Sequence, residues 1–513
     1  MKHIKNIPWR GILSVIGLLI GNLLVFLTIW LANKYDHVSL DQFIYQMKSP
    51  ATGANRSLLN SAWIRVGLFG IILTAIEIIL YLAMSGSFKK IFKDSVCYLK
   101  FCSNKFCCYI THRALPIAMS MLLFGLCFFA ISLDVVNYVD TITTDSDLIE
   151  RHYVNPYSVN LNFPEKKRNL IYIFLESMEV TFSDTEASGA IKANYIVELT
   201  RLAENNINFS HDSDVGGALS YTGTTWTAAA MVTQTSGVIV QVPLTAETYG
   251  GENEYMPGVI SIGEVLEKEG YNQTLLVGSD AAFAGRDSYF SEHGNYNIVD
   301  TKSLKADGRL PENYDEWWGY EDEKLFQFAK DEITKLSESG KPFNFTMLTC
   351  DTHFPNGYQC RLCRQNYDAK YPNVLRCSAR QVEAFIQWIQ AQDFYENTTI
   401  VLCGDHLTMD PNFLKDANEK YVRTIYNCFI NSPIEPINEK NRQFGTFDMF
   451  PTTLAAMGVE IEGNRLGLGT NLFSDKETLT EHYSFTILND ELQKNSNFYN
   501  ETFLHMEPKQ EDE

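Results

Sequence analysis

The sequence Asn169-Leu-Ile-Tyr-Ile-Phe-Leu175 decides the fold. After Asn169 every side chain in it is apolar or aromatic, and such short runs are typical of strands buried on both faces. Comparable runs recur at Gln273–Val277, Phe343–Thr349 and Thr398–Cys403. Helical patterns lie between or after them, at Ala193–Asn205, Ser261–Gly270, Tyr320–Ser337 and Ala379–Gln392. This alternation predicts an α/β domain whose mostly parallel sheet is covered by helices on both faces.

A polar or charged group follows each predicted strand. Because the carboxyl ends of parallel strands meet at one edge of a sheet, we expect these groups to lie close together. Glu176, Asp405 and His406 supply two carboxylates and one imidazole. This ligand set suits Zn²⁺ or Mn²⁺ and leaves a coordination position open, so a metal site is favoured over a solvated edge. The groups are Glu176, then Asp280 with Arg286 close behind, then His353, and finally the pair Asp405 and His406.

The stretch Ser220–Gly237 supplies a candidate nucleophile. It combines a glycine turn, several hydroxyls and an Ala-Ala-Ala-Met-Val run, with Thr227 where a helix should begin. Unpaired N–H groups at a helix start suit a phosphate oxyanion, although Thr227 could also be a simple helix cap. A bound dication lowers the pKa of a hydroxyl, so Thr227 beside the metal could attack phosphorus and form a phospho-threonine. His353 could then contact a phosphate oxygen or protonate the leaving group, and Arg286 could hold a phosphate or lie unused on the surface.

The first third of the chain is predicted to be a membrane anchor. Gly11–Asn33, Val66–Met84 and Ala114–Leu133 are each long and apolar enough to span a bilayer. The basic segment Ser85–Arg113 favours a cytoplasmic side, which puts the rest of the chain outside a bacterial cell membrane. Glu77, inside the second span, could be part of a path for lipid headgroups, but an inward-facing, hydrogen-bonded position is favoured. The predicted boundaries are 1–136 for the anchor, 137–168 for a linker, 169–505 for the catalytic domain and 506–513 for a disordered tail.

The net charge and the spacing of the cysteines bear on two kinds of partner, nucleic acid and metal ions. The net charge of −20 argues against nucleic acid. Cys360 and Cys363 have the spacing of a zinc knuckle, but no second CxxC follows and Cys377 is the nearest further thiol. Outside the membrane a loop disulfide within this trio is therefore favoured over a metal, with the pairing left open.

Four motifs together resemble a known family. Leu-Glu176-Ser, Trp-Thr227-Ala, Asp351-Thr-His353-Phe-Pro-Asn-Gly and Gly-Asp405-His406 follow one another in the order seen in the lipoteichoic acid synthase and phosphoglycerol transferase group of the alkaline phosphatase/sulfatase-like superfamily. The resemblance covers roughly Asn169 to Phe473. Within the group, the motifs most resemble the branch that decorates periplasmic glucans.

The resemblance implies transfer of glycerol phosphate from phosphatidylglycerol to an extracellular glycan or glycerol-phosphate acceptor, with release of diacylglycerol. Three spans rather than the usual five favour transfer of single units over polymerisation. The Cys/Ser-x-Pro-x-Arg signature of sulfatases is missing around Thr227, so sulfate ester hydrolysis is not expected. By motif match, Glu176, Thr227, Asp405 and His406 form the shell of one Mn²⁺ or Zn²⁺, Thr227 is the nucleophile, and His353, Arg286 and Asp280 contact the substrate.

Three alternatives stay open. A phosphoethanolamine transferase would use the same metal and nucleophile with another lipid headgroup. A phosphodiesterase of the same fold would use water as the final acceptor. An inactive, membrane-tethered binding or regulatory domain is disfavoured because every proposed ligand position holds a competent residue.

Overall fold

The computed structural model describes residues 9–35, 39–54, 56–84, 114–314, 316–410, 413 and 421–505. It divides into two compact units: residues 1–40 with 55–138, and residues 41–54 with 139–513. The basic residues before position 9, the basic segment Ser85–Arg113 and the acidic tail Met506–Glu513 lie outside the described residues. The division differs from the predicted boundaries in two places, because residues 41–54 and most of the predicted linker belong to the second unit.

Helices and strands are numbered in chain order. The helices are α1 Trp9–Lys34, α2 Leu40–Lys48, α3 Arg56–Ala62, α4 Phe69–Met84, α5 Ala114–Ser132, α6 Val135–Thr143, α7 Leu148–His152, α8 Val197–Asn205, α9 Thr227–Ser236, α10 Ile262–Lys268, α11 Arg286–Glu292, α12 Thr301–Ala306, α13 Asp322–Glu338, α14 Lys370–Gln390, α15 Met449–Ala456, α16 Leu479–Tyr483, α17 Phe485–Gln493 and α18 Asn497–Phe503. The strands are β1 Leu161–Asn162, β2 Asn169–Leu175, β3 Gly217–Ala218, β4 Asn272–Val277, β5 Asn297–Val299, β6 Phe343–Leu348, β7 Thr398–Gly404, β8 Ile425–Ile430, β9 Glu460–Ile461, β10 Arg465–Leu466 and β11 Gly469–Thr470.

The first unit contains three helical segments long and apolar enough to cross a membrane, at Arg10–Lys34, Ser57–Leu82 and Ala114–Ser132. They make the chain a membrane protein, as the sequence predicts. Helices α1 and α5 approach closely, because a Cβ on Gly21 would come within 2.8 Å of the Met121 carbonyl oxygen. The carboxylate of Glu77 accepts a hydrogen bond of 2.8 Å from Asn22, so this acid faces a neighbouring helix as predicted.

The second unit is built on a seven-stranded sheet in the order β3-β8-β7-β2-β6-β4-β5. The five strands β2, β4, β5, β6 and β7 run parallel, whereas β8 pairs antiparallel with both β7 and β3. The mostly parallel α/β fold predicted from the sequence is therefore confirmed. Every residue of β2, β6, β7 and β8 is buried, which explains their continuous apolar runs.

Helices cover both faces of this sheet. On one face, Ile171 and Ile173 of β2 pack in a core that includes residues of α8, α13 and α14. Side chains alternate along a strand, so Tyr172 points to the other face, where its hydroxyl donates to Gln234 of α9 at 2.8 Å. Helix α14 begins at Lys370 rather than at the predicted Ala379, because Pro372 falls in its first turn, where a missing N–H costs nothing.

Residues 41–54, between the first two candidate spans, pack in the second unit. Tyr45 is fully buried, and its hydroxyl lies 2.7 Å from both the Tyr255 hydroxyl and the Ala284 carbonyl oxygen. Its ring packs 5.2 Å from that of Trp226, the residue that precedes α9. The ammonium of Lys48 donates to the carbonyl of Leu244 at 2.7 Å. This segment therefore supports the start of α9 from outside the sheet.

Candidate active site

The parallel pairing of β2 with β7 brings two acidic groups together. Leu175 is the register partner of Gly404, so Glu176 and Asp405, the next residues on the two strands, emerge side by side. Both side chains are buried, as is that of His406. Ligand atoms of these three residues lie within 4.8 Å of one another. The structure thus brings together the three predicted ligands, which are far apart in the sequence.

Thr227 is the first residue of α9 and completes this cluster. Its Oγ1 lies 3.4 Å from Glu176 Oε2 and 3.3 Å from His406 Nε2. Trp226 precedes the helix in an extended conformation and offers no side-chain cap, so the first N–H groups of α9 are left for another partner. Gly237, in the left-handed conformation, ends the helix. The hydroxyl and the positive end of the helix therefore face the same cluster of acids.

Asp405 is held by one oxygen, and among the described residues the other has no hydrogen-bond partner. Its Oδ1 accepts hydrogen bonds of 2.7 Å from the backbone N–H groups of Ser177 and His406. Its Oδ2 is buried and has no hydrogen-bond partner among the described residues. Ser177, which orients this contact, has a φ of 53°, a conformation that non-glycine residues adopt rarely and mostly at functional sites. An unpaired buried carboxylate oxygen is costly unless a cation binds it.

The tautomer of His406 suits the same ligand. Its Nδ1 lies 2.8 Å from the Leu407 carbonyl oxygen, so Nδ1–H donates, and in the neutral ring Nε2 carries the lone pair. Nε2 lies 3.4 Å from Asp405 Oδ2 and 3.6 Å from Glu176 Oε1. A backbone carbonyl that fixes the second nitrogen is the usual arrangement for a metal-binding histidine.

The charges in the cluster also favour the binding of a cation. Burial, with a further contribution from the charge of Glu176, raises the pKa of Asp405 to about 7. Burial lowers the pKa of His406, but the charges of Asp405 and Glu176 outweigh it and leave that pKa raised. The two carboxylates and the imidazole therefore fit a single divalent cation, which would also pair with Oδ2 of Asp405.

His353 follows β6 and is neutral near pH 7. Burial is the main reason that its pKa falls to about 4, and the charges of His406 and Arg286 lower it further. Its Nδ1–H donates to the Phe354 carbonyl oxygen at 2.6 Å, and its ring packs 4.2 Å from that of Trp318. Nε2 is therefore a hydrogen-bond acceptor in the neutral ring.

Arg286 is buried at the start of α11. The alternative interpretation, an unused arginine on the surface, is therefore wrong. Its Nη2 donates to Ser279 Oγ and to the Asp280 carbonyl oxygen, both at 2.9 Å. Burial lowers its pKa, and the charge of Glu176 opposes that shift. The Asp280 carboxylate forms an ion pair of 3.0 Å with Lys302. Arg286 is thus a fixed cation near the acids, whereas the side chain of Asp280 is engaged elsewhere.

Gln234 was not predicted from the sequence, and it connects α9 to the end of β7 by hydrogen bonds. Its Nε2 donates to the carbonyl oxygens of Gly404 at 2.9 Å and Asp405 at 3.3 Å. Gln234 lies two helical turns after Thr227, on the same face of α9, and this spacing is the signal that could have revealed it. Thr349 and Thr352 likewise hold the backbone of Glu176. The Thr349 hydroxyl accepts from its N–H group, and the Thr352 hydroxyl donates to its carbonyl oxygen.

A sequence model of the Sulfatase family matches residues 168–459. The chain belongs to the Sulfatase family. The matched segment of this Sulfatase-family chain contains Glu176, Thr227, His353, Asp405 and His406.

Curated relatives share part of their length with this family member. Phosphoglycerol transferase I from Salmonella choleraesuis (strain SC-B67) is 31% identical over 319 residues, which are 61% of this chain and 40% of that protein. The protein of the same name from Escherichia coli O139:H28 (strain E24377A / ETEC) is 30% identical over the same length and shares. The chain thus spans about two fifths of the length of these relatives.

Two solved structures are similar to the chain. A protein of the alkaline phosphatase superfamily from Vibrio parahaemolyticus is 21% identical, with a TM-score of 0.48, and the match covers 61% of this chain and 74% of that one. The lipoteichoic acid synthase LtaP from Listeria monocytogenes is 18% identical, also with a TM-score of 0.48, and the match covers 64% of this chain and 80% of that one.

Proposed function

We propose that this protein is a membrane-anchored phosphoglycerol transferase. It moves glycerol phosphate from phosphatidylglycerol to an extracellular glycan or glycerol-phosphate acceptor through a phospho-threonine. The observation that carries the proposal is the Thr227 hydroxyl at a helix start, 3.3 Å from His406 Nε2 and 3.4 Å from a Glu176 oxygen. The 31% identity to a phosphoglycerol transferase I supports the choice of headgroup.

Glu176, Asp405, His406 and Thr227 would hold one divalent cation, Mn²⁺ or Zn²⁺, since both accept two carboxylates and an imidazole. When bound, the cation lowers the pKa of the threonine hydroxyl and offsets charge on a phosphoryl oxygen. Asp405 is oriented for this role by Ser177 and by its own backbone neighbour, and Gln234 fixes the strand end that carries it.

The first step makes the phospho-threonine. Thr227 Oγ1 attacks phosphorus and loses its proton to solvent, the bond from phosphorus to the diacylglycerol oxygen breaks, and that oxygen takes a proton from water. The N–H groups at the start of α9 and the buried cation of Arg286 stabilise the negative phosphoryl oxygens. Each of these groups is held in place before substrate binds, so little reorganisation is needed during the reaction.

The second step transfers the group to the acceptor. An acceptor hydroxyl attacks phosphorus, the bond to Thr227 Oγ1 breaks, and the threonine oxygen takes a proton from water to restore its hydroxyl. Neutral His353 donates Nδ1–H to the Phe354 carbonyl oxygen, so its Nε2 can take the proton of the acceptor hydroxyl and release it to solvent. We therefore assign His353 to the second step as a base, rather than to protonation of the leaving group in the first.

The proposed location is a bacterial cell membrane, with the three spans as the anchor and the second unit outside, where lipid headgroups and envelope glycans are available. The basic sequence Ser85–Arg113 supports this orientation. Phosphatidylglycerol then reaches the site from the outer leaflet.

Intact mass of the full chain after incubation with phosphatidylglycerol vesicles tests the proposal. We expect one glycerophosphoryl adduct on Thr227 and release of diacylglycerol, and neither in Thr227→Ala. A phosphoethanolamine adduct formed only from phosphatidylethanolamine would identify the other transferase. Release of free glycerol phosphate to water, even when glycan acceptors are present, would identify a phosphodiesterase. Consumption of phosphatidylglycerol by Thr227→Ala at the parent rate would refute the proposed nucleophile.

A further inference from the structure

Three cysteines form a cluster outside the candidate active site. Cys360 and Cys363 lie in the loop between β6 and α14, and Cys377 lies in α14 itself. All three sulfurs lie within 4.8 Å of one another. The loop disulfide favoured by the sequence is not formed in the structure, where these three thiols are free.

The spacing of the sulfurs matches a tetrahedral metal site. Cys360 Sγ lies 3.7 Å from Cys363 Sγ and 3.8 Å from Cys377 Sγ. Two thiolates bound to one tetrahedral Zn²⁺ with Zn–S bonds of about 2.3 Å are about 3.8 Å apart. A disulfide pairs two sulfurs and excludes the third, whereas Cys360 is almost equally distant from both of the others. We propose that Cys360, Cys363 and Cys377 bind one zinc ion.

The surroundings of the cluster suit bound thiolates. The amide Nε2 of Gln381 lies 3.6 Å from Cys377 Sγ and 3.9 Å from Cys360 Sγ, within range for N–H donation to sulfur. Arg380 donates to the Leu362 carbonyl oxygen inside the CxxC turn, which places a guanidinium beside the site. Zinc with three thiolates carries a net charge of −1, so a neighbouring cation stabilises it.

Cys360 and Cys377 are buried, whereas Cys363 is partly exposed. Water can therefore reach one side of the cluster and occupy the fourth coordination position. Binding breaks three S–H bonds, forms three Zn–S bonds and releases three protons to solvent, with no change of oxidation state. Metal binding also protects the thiols from oxidation outside the cell, where free cysteines rarely persist.

The site joins two elements next to the candidate active site. The loop that contains Cys360 and Cys363 follows His353 directly along the chain, and Cys377 anchors it to α14 in the core. Zinc would thus fix the path of the loop and, through it, the position of His353 and Phe354. This role does not depend on the proposed transferase activity.

Thiol counting distinguishes zinc from a disulfide. The full chain, purified in detergent without reductant, is unfolded in chelator and treated with iodoacetamide, and its peptides are mapped by mass. We expect alkylation at Cys360, Cys363 and Cys377 in the same molecules. Recovery of any two of them as a disulfide in most molecules would overturn the proposal.

Zinc stoichiometry tests the site itself. Under native mass spectrometry in buffered Zn²⁺, we expect Cys377→Ala to hold one zinc fewer than the parent, and Cys428→Ala, a buried cysteine on β8 outside the cluster, to hold as many as the parent. Cys363→His should keep the parent number, because histidine is also a zinc ligand. An unchanged zinc count in Cys377→Ala would overturn the proposal.

A Co²⁺-loaded parent chain gives a readout that does not depend on the folding of a variant. Cobalt bound by three thiolates shows a strong sulfur-to-metal charge-transfer band, whereas cobalt held only by carboxylates and imidazole does not. We expect this band in the parent and in Asp405→Asn. A parent spectrum without it would overturn the proposal.

Discussion

Thr227 Oγ1 lies 3.3 Å from His406 Nε2, although the two residues are 179 positions apart in the chain. The contact joins the start of α9 to the end of β7, across the carboxyl edge of the sheet. No local sequence pattern specifies such a contact. It follows from the parallel order of the strands, which brings Glu176 and Asp405 together, and from the packing of α9 against the face that Tyr172 occupies.

Thr227→Val removes the hydroxyl and keeps the shape of the side chain. We expect consumption of phosphatidylglycerol to fall by at least about 10³-fold, because an enzyme without its nucleophile retains only the contribution of binding and charge stabilisation. Labelled lipid and thin-layer analysis of diacylglycerol measure the effect. Thr227→Ser, which keeps the hydroxyl, should recover most of the rate. If Thr227→Val kept the parent rate and Thr227→Ser lost it, the methyl group, and not the oxygen, would be what matters.

Much of the fold follows from the sequence, since the runs at β2, β4, β6 and β7 have the continuous apolar character of strands covered on both faces. The acids and histidines that follow them could be assigned to one edge for the same reason. Gln234 follows no strand, and its hydrogen bonds reach backbone carbonyls, which carry no sequence signature, so only its position two helical turns after Thr227 could have indicated it. Residues 41–54 were missed because their contacts lie far away along the chain.

Asp405→Asn replaces a charged ligand by a neutral amide of the same size. We expect affinity for Mn²⁺ or Zn²⁺ at this site to fall by at least about 100-fold, because even residues that only orient metal ligands change affinity by 10- to 100-fold. Isothermal calorimetry on the chelator-treated full chain measures it. Asp448→Asn is the matched control, since Asp448 is also buried and accepts backbone hydrogen bonds at Gly445 and Thr470. Loss of affinity in both variants would point to unfolding rather than to a lost ligand.

Gln234→Leu tests the link between α9 and β7. The variant loses the hydrogen bonds to the Gly404 and Asp405 carbonyls and the acceptor of the Tyr172 hydroxyl, and it should reduce stability by about 1–3 kcal/mol. Because the strand end carries Asp405, we also expect kcat to fall by about tenfold or more. Thermal unfolding and steady-state kinetics measure the two effects.

The control for this variant is Gln241→Leu. Gln241 likewise donates to two carbonyls, those of Leu492 and Lys494, and none of these residues is in the site cluster. We expect a similar loss of stability with kcat unchanged. If both variants lose activity to the same extent, the effect of Gln234 is one of stability alone.

His353→Gln tests the neutral state of this histidine. Its pKa is about 4 in the folded protein and about 6.5 when unfolded, so the unfolded chain binds the proton more tightly. Stability is therefore lost as the pH falls from about 6.5 to about 4, by up to about 3 kcal/mol, and none is lost from this group above that range. Urea unfolding of the full chain in detergent at pH 7 and pH 5 measures the difference. In His353→Gln the drop between the two pH values should be smaller, and an equal drop would place the titration on another group.

Tyr45 tests whether residues 41–54 are part of the catalytic unit. Tyr45→Phe leaves the Ala284 carbonyl without its donor and should cost about 1 kcal/mol, whereas Tyr45→Ala also empties the space beside Trp226 and should cost about 3–5 kcal/mol. Thermal unfolding measures both. Tyr157→Phe is the control, because Tyr157 is exposed and its hydroxyl makes a longer contact, 3.3 Å, with Glu264.

The same segment makes a prediction for the isolated outer unit. A chain that begins at Val139 lacks Tyr45 and Lys48, so it exposes the Trp226 and Tyr255 rings and should unfold at a lower temperature than the second unit of the full chain. A synthetic peptide of residues 39–54 should bind it and raise its unfolding temperature, and the Tyr45→Ala peptide should do so much less. If both peptides bind equally, the contacts of Tyr45 do not hold the segment in place.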